Sequence, residues 1–298
     1  MKHTSLFRSL MFVPAHNEKL LVSAEKSDAD VLLLDIEDSV QPEVNKALGR
    51  QKIVEKIEQG FFRNHLVFPR VNDRESGQLL KDVQALTIEG VDGFMYPKSQ
   101  TGQDVYFFAK LLETIEYEKK LPIGTFSIIP LIETASAVLN AQEIIQASDR
   151  VVAIAFGCED FITDLEGIHD DEEMSINTPR ALIAMAARAN NVIPVDTVHI
   201  NVHDLVDLEK NLQIAKKLGF EGMLILHPKE IKLAHRYFSP SKKEIEEARE
   251  MLKMNEEALK NNQGVAIMNG KFIGPPMVET AKKVLHKAAL IENKRSTT

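Results

Sequence analysis

The sequence predicts a (β/α)8 TIM barrel with a C-terminal helical extension. Three observations carry that expectation. Eight β-branched, apolar runs of strand length recur between Ser9 and Pro228, amphipathic stretches of helix length separate them, and the runs are continuously apolar rather than alternating. Continuous apolar runs mark strands buried on both faces, as in parallel sheets. Eight strand–helix units in succession close into a barrel. A doubly wound open sheet is the alternative, but it carries a glycine-rich phosphate loop after its first strand. Here that segment reads 13-VPAHNEKL-20, without glycine.

In order, the predicted strands are 9-SLMFVPA-15, 30-DVLLLDIED-38, 65-HLVFPRVN-72, 93-GFMYPK-98, 126-FSIIPLIET-134, 151-VVAIAFGCEDF-161, 193-IPVDTVHINV-202 and 222-GMLILHP-228. Thr101 is placed to cap the helix that contains 104-DVYFFAKLLETIEYEKK-120. Thr178 with Pro179 reads as an N-cap followed by proline at the first helical position. After the eighth strand, Ser239-Pro240 breaks the chain. Ser241 and Glu244 then form a capping box that opens a charged helix to about residue 260. A glycine-punctuated segment, 263-QGVAIMNGKFIGPP-276, and a last helix over about 277–292 follow, and the terminal NKRSTT is expected to fray. The expected division is therefore a catalytic barrel over residues 1–238 and an extension or lid over 239–298.

Composition narrows the class. With 44% hydrophobic and 27% charged residues, the 298-residue chain has the balance of a soluble globular protein. The single cysteine, Cys158, excludes an internal disulfide and suits a reducing, cytoplasmic setting. No apolar run approaches the roughly 20 residues that cross a bilayer, so no membrane partner is expected. A net charge of −8 argues against nucleic acid.

Barrel active sites form at the C-terminal ends of the strands, and this chain places its charges there. The second run ends in Asp35, Glu37 and Asp38, the third in Arg70 and Asn72, and the fourth in Lys98. The fifth ends in Glu133 and the sixth in Glu159 and Asp160. Asp196 and Asn201 lie on the seventh, and His227 ends the eighth. Taken singly, each has an ordinary explanation as a cap, an ion pair or a solvated residue, and Asp196 and Cys158 read as structural. Together they crowd many carboxylates into one mouth, where mutual repulsion raises their pKa values unless a divalent cation relieves it. Glu133 and Asp160 are hard oxygen ligands. A few protein oxygens completed by water and substrate suit Mg2+, and the dispersed histidines give no zinc spacing.

The stretches 8-RSLMFVPAHNEKLL-21, 35-DIEDSV-40, 70-RVN-72, 97-PKSQT-101, 132-IETASAVLNAQEI-144 and 157-GCEDFITDL-165 resemble the citrate lyase β-subunit family, within the wider malyl-CoA lyase and HpcH/HpaI aldolase superfamily. The resemblance runs from about Arg8 into the last helix. It implies a homo-oligomeric barrel, trimeric or hexameric, that uses Mg2+ to make or break a carbon–carbon bond between an acyl-CoA and a 2-oxo acid. It implies that Glu133 and Asp160 hold the metal and that Arg70 holds the oxo-acid oxygen. Asp35, Glu37 and Asp38 would stand behind them, with Lys98 and Glu159 beside the substrate. Coenzyme A needs cations for its phosphates, for which Arg8, Lys19 and Lys98 are candidates near the mouth.

One position departs from the family pattern. Relatives carry an aspartate in a C-terminal GKM-[I/V]-D-x-P segment that serves acid/base work at the acyl carbon. Here the segment is 270-GKFIGPP-276, with Gly274 at that place. Three explanations stay open. Another acid, Glu37 or Asp38, takes the role; the substrate needs no proton transfer there, as for a CoA-independent 2-oxo-acid aldolase; or the metal and oxo-acid site persists in a non-catalytic protein.

Overall fold

The computed structural model describes residues 5–168, 174–261, 266–268 and 271–297. Phe7–Ala234 forms one compact unit; the chain from His235 onward, with Ser5 and Leu6, forms a second. Among the described residues, no helix is long and apolar enough to cross a membrane.

The larger unit holds eight strands: β1 Ser9–Pro14, β2 Val31–Asp35, β3 Leu66–Val67, β4 Gly93–Tyr96, β5 Ser127–Ile132, β6 Ala153–Phe156, β7 Ile193–Asp196 and β8 Gly222–Ile225. They run parallel in the order β3-β2-β1-β8-β7-β6-β5-β4. Pro69 has no N–H to donate, and β3 is correspondingly short. Its backbone bonding nevertheless continues to Val71. Arg70 N–H donates to the Leu34 carbonyl at 3.1 Å, and on the other side Met95 N–H donates to Pro69 at 3.0 Å and Val71 N–H to Met95 at 3.2 Å. These bonds join β3 to β4 and bring the ring to near closure, the barrel that the run pattern predicts.

Alternation along the strands sorts the core. Val31 and Leu33, Ile129 and Leu131, Ala153 and Ala155, and Ile193 and Val195 belong to one buried cluster with Leu10, Phe68, Met95 and Leu224. Residues two apart share a face, so this set fills the barrel interior. Two glycines mark where strand backbones meet other chain segments too closely for a side chain. A Cβ at Gly222 would sit 1.7 Å from the Phe7 carbonyl oxygen, and one at Gly93 2.3 Å from that of Ser127. Gly222→Ala is expected to destabilise the barrel by about 3 kcal/mol, because the obstacle is backbone and has no rotamer to yield. Chemical denaturation measures this.

Three local expectations need correction. The run ending in CEDF does not stay extended: β6 stops at Phe156 and a helix spans Cys158–Leu165, so Glu159 and Asp160 lie in its first turn. Acidic residues favour that position because of the exposed N–H groups there. Pro179 does not open its helix, which is already formed at Met174; the proline gives up one backbone hydrogen bond inside it. The last helix, expected over about 277–292, spans Pro275–Thr297.

In the second unit the predicted capping box is present. Ser241 N–H donates to Glu244 Oε2 at 2.7 Å and Glu244 N–H to Ser241 Oγ at 3.2 Å, at the head of the helix Lys242–Lys260. The glycine-punctuated stretch holds an antiparallel pair, Ala266–Met268 with Lys271–Ile273, before the helix Pro275–Thr297. Ala258, Ile273 and Val278 form a small core there.

Candidate active site

The inward-facing period of the strands, carried one step past the core, builds the mouth. Asp35 follows Val31 and Leu33; Arg70 follows Phe68; Glu133 follows Ile129 and Leu131; Gly157 follows Ala153 and Ala155. The next layer above the hydrophobic plug therefore includes two carboxylates, a guanidinium and a gap.

Arg70 ties this layer together. Its Nε and Nη2 donate to the two oxygens of Asp35 at 2.8 and 2.7 Å, a fork-to-fork pair with both side chains buried. Its Nη1 lies 3.0 Å from Glu37 Oε2 and 3.4 Å from Asp38 Oδ2, and its plane covers the Phe12 ring at 4.7 Å. Burial alone would raise the Asp35 pKa, but the adjacent guanidinium outweighs it and holds the carboxyl below its ordinary value.

Lys98 links the next two acids. Its ammonium lies 3.2 Å from Glu37 Oε1 and 3.1 Å from Asp73 Oδ2, and its backbone N–H donates to Glu133 Oε2 at 2.7 Å. Its φ of +53° is left-handed. Burial opposes its charge, yet Glu37 and Asp73 raise its pKa above the usual value.

Glu37 and Glu133 are the strained members. Glu37 is 3% exposed; both its oxygens are within ion-pair reach of cations, yet neither accepts an aligned hydrogen bond. Burial pushes its pKa up to about 7, with Asp38 and Asp35 adding and Arg70 and Lys98 opposing. Glu133, also 3% exposed, is pushed up to about 8 by burial, with the charges of Glu37 and Asp160 adding. Two buried carboxyls with raised pKa values, one of them with neither oxygen hydrogen-bonded, form a site short of positive charge. Their donor chemistry, hard oxygen without histidine or cysteine, fits a hard divalent cation. Among the described residues no three His, Cys, Asp or Glu side chains converge to hold a metal by themselves, so water and substrate oxygens would complete the shell.

That deficit has a thermal signature. Both groups fold with pKa values above the ordinary 4.5, so their contribution to stability is complete below about 4.5 and is lost as pH rises through 7 to 8. Differential scanning calorimetry without metal is expected to show Tm falling from about pH 4.5 to about pH 8 and levelling above that. A saturating divalent cation should flatten that fall.

The other predicted residues divide. Asp160, exposed on the helix Cys158–Leu165, contributes its charge at Glu133. Glu159, its neighbour, turns to the rim of an adjoining polar cavity of about 240 Å3, whose lining includes Thr197, His199 and the buried Arg180–Asp196 pair. Glu159 accepts from Cys158 Sγ at 3.3 Å there and does not join the Arg70 cluster. Asp196 is structural, held by Arg180 Nε at 3.1 Å and Nη2 at 2.5 Å. Lys19 is exposed on the first turn after β1, at the mouth end. Arg8 is not near the mouth. It precedes β1, is 6% exposed, and donates to Asp30 through Nε at 2.7 Å and Nη2 at 2.8 Å, at the N-terminal ends of the strands. An arginine locked there has no access to a ligand at the opposite end. Asp73 was not foreseen; its signal is its place directly after RVN, in the loop that leaves the mouth.

Comparison with known proteins gives concordant results. The sequence profile of the HpcH/HpaI aldolase/citrate lyase family matches residues 8–228. The citrate lyase subunit beta of Leuconostoc mesenteroides subsp. cremoris is 30% identical over 97% of this chain and 95% of its own length. A (3S)-malyl-CoA thioesterase of Cereibacter sphaeroides is 29% identical over 96% of this chain and 95% of its own. The fold is shared with the protein CitE of Mycobacterium tuberculosis in complex with magnesium, acetoacetate and coenzyme A, at 24% identity and a TM-score of 0.75 over 96% of this chain and 100% of that one.

Proposed function

Since this chain belongs to the HpcH/HpaI aldolase/citrate lyase family, we propose that it is a Mg2+-dependent lyase that breaks or forms the carbon–carbon bond between an acyl-CoA and a 2-oxo acid. The observation that carries this reading is the buried Glu133, its pKa raised to about 8, under the charge of Asp160 and beside the Arg70 cluster. Relatives and neighbours supply the substrate class. One is a citrate lyase subunit, one a malyl-CoA thioesterase, and one was found with magnesium, acetoacetate and coenzyme A.

Glu133 and Asp160 would hold the cation, which acts as Lewis acid on the oxo-acid oxygens. Arg70 presents a fixed guanidinium to the 3-hydroxyl oxygen, which gains negative charge as its proton leaves and then becomes the ketone oxygen. In the cleavage direction the Glu37 carboxylate takes the proton of the 3-hydroxyl. The hydroxyl oxygen becomes the ketone, and the bonding pair leaves with the acyl carbon as a thioester enolate. A base whose pKa lies near 7 is matched to that step at neutral pH. Lys98, half-exposed beside Glu37, is placed for a substrate carboxylate, and Lys19 for a phosphate of coenzyme A.

Gly274 favours a second reading in which the site binds a free 2-oxo acid and no acyl carbon is protonated. Calorimetric titration of oxaloacetate, glyoxylate and pyruvate, with Mg2+ and with EDTA and then with acetyl-CoA, separates the two. Mg2+-dependent oxo-acid binding that tightens acetyl-CoA binding supports the lyase. Oxo-acid binding without a coenzyme A response supports the free-acid aldolase. The absence of any binding overturns both.

A further inference from the structure

Glu133 is gripped from two sides by backbone, that of Lys98 and that of Gly157. On one side Lys98, at φ +53°, turns its backbone N–H onto Glu133 Oε2 at 2.7 Å. On the other stands Gly157. The three atoms nearest to a Cβ built there all belong to Glu133: Cγ at 2.7 Å, Oε1 at 3.3 Å and Cδ at 3.5 Å. The backbone of Gly157 is ordinary, with φ −102°, so nothing but the glutamate demands a glycine at this position. Gly157 also immediately precedes the helix that carries Asp160.

We propose that Lys98 and Gly157 are positioning residues that clamp Glu133, fixing Oε2 on the Lys98 amide and leaving Oε1 as the oxygen presented to a cation shared with Asp160. This rests on Glu133 being a metal ligand. The Lys98 contribution lies in its backbone, because a left-handed φ is what aims that N–H into the mouth. The Gly157 contribution is empty volume. Outer groups that orient a ligand commonly control metal affinity by about 10- to 100-fold, and this pair is built from an amide and a missing methyl.

The test is Mg2+ titration by calorimetry, without substrate, on the full chain and four variants. Glu133→Gln tests the underlying assignment and should abolish Mg2+ binding. Gly157→Ala should weaken it at least tenfold, with little loss of Tm. Lys98→Gly and Lys98→Val both remove the ammonium. Glycine accepts the left-handed backbone and should bind Mg2+ no more than about threefold weaker than the parent. Valine is a true outlier at positive φ and should bind at least about tenfold weaker than the glycine variant. If Glu133→Gln leaves Mg2+ binding intact, the ligand assignment fails. If Glu133→Gln abolishes binding while Gly157→Ala matches the parent, or the two Lys98 variants bind alike, the clamp fails and the assignment stands. Should Gly157→Ala not fold, the Lys98 pair decides.

Discussion

Glu133→Gln is expected to lower Mg2+-dependent oxo-acid affinity by at least about 100-fold while leaving the metal-free protein more stable at alkaline pH. The two effects have one cause. Glutamine keeps an oxygen for the Lys98 N–H, so the 2.7 Å hydrogen bond survives. It removes a charge that the site carries only at a cost, since burial pushes the Glu133 pKa up to about 8. The metal-free Tm of the variant should match the parent below about pH 4.5, where Glu133 is protonated whether folded or unfolded, and exceed it by a margin that grows until about pH 8. A residue that merely supports the fold would not give stability and lost affinity together. Affinity within a few-fold of the parent sinks the ligand assignment.

The second large effect falls on Arg70. Arg70→Met leaves Asp35, 1% exposed, without its cation, and Glu37 with one cation fewer. Stranding a buried charge costs about 3–5 kcal/mol, read by denaturant unfolding at pH 7.5. The guanidinium holds the Asp35 pKa below the ordinary 3.8. In the parent this pair therefore adds stability that is present above pH 3.8 and is lost as pH falls below it. The variant never has that contribution, so its deficit should be full at neutral pH and shrink in acid. Arg70→Lys keeps a charge but not the fork that spans both Asp35 oxygens, and should recover only part of the loss. A deficit under about 1 kcal/mol in Arg70→Met would show that Asp35 does not depend on the guanidinium.

The barrel was legible because apolar runs report burial on both faces, and a parallel barrel buries every strand twice. The clustering of Asp35, Glu37, Arg70, Lys98 and Glu133 was legible for the same reason: each closes such a run. What the runs do not encode is where extension stops. The CED stretch looks like more strand because Phe161 continues the apolar pattern, yet the chain turns helical at Cys158. Arg8 shows a second limit. A basic residue beside a strand reads alike at either end, and only the bond to Asp30 reveals which end it serves. The left-handed Lys98 was invisible, since nothing in PKSQT announces a positive φ. Gly157 was equally silent, because a missing side chain speaks only through the neighbour that fills its space.

The turn at Gly274 opens a different question, that of evolutionary traffic. Its carbonyl accepts from Met277 N–H at 3.0 Å and Val278 N–H at 3.3 Å, which makes it the residue capping the helix that starts at Pro275. Aspartate is among the side chains that helix starts favour most, by a few tenths of a kcal/mol over glycine. The first atom a Cβ would meet is the edge of the Phe272 ring at 2.9 Å, and that ring is itself 57% exposed and free to swing. The cap position and the yielding ring edge therefore set no steric bar to an aspartate here. A lineage can lose or regain an acid here without rebuilding its scaffold, and chemistry rather than folding decides which form persists.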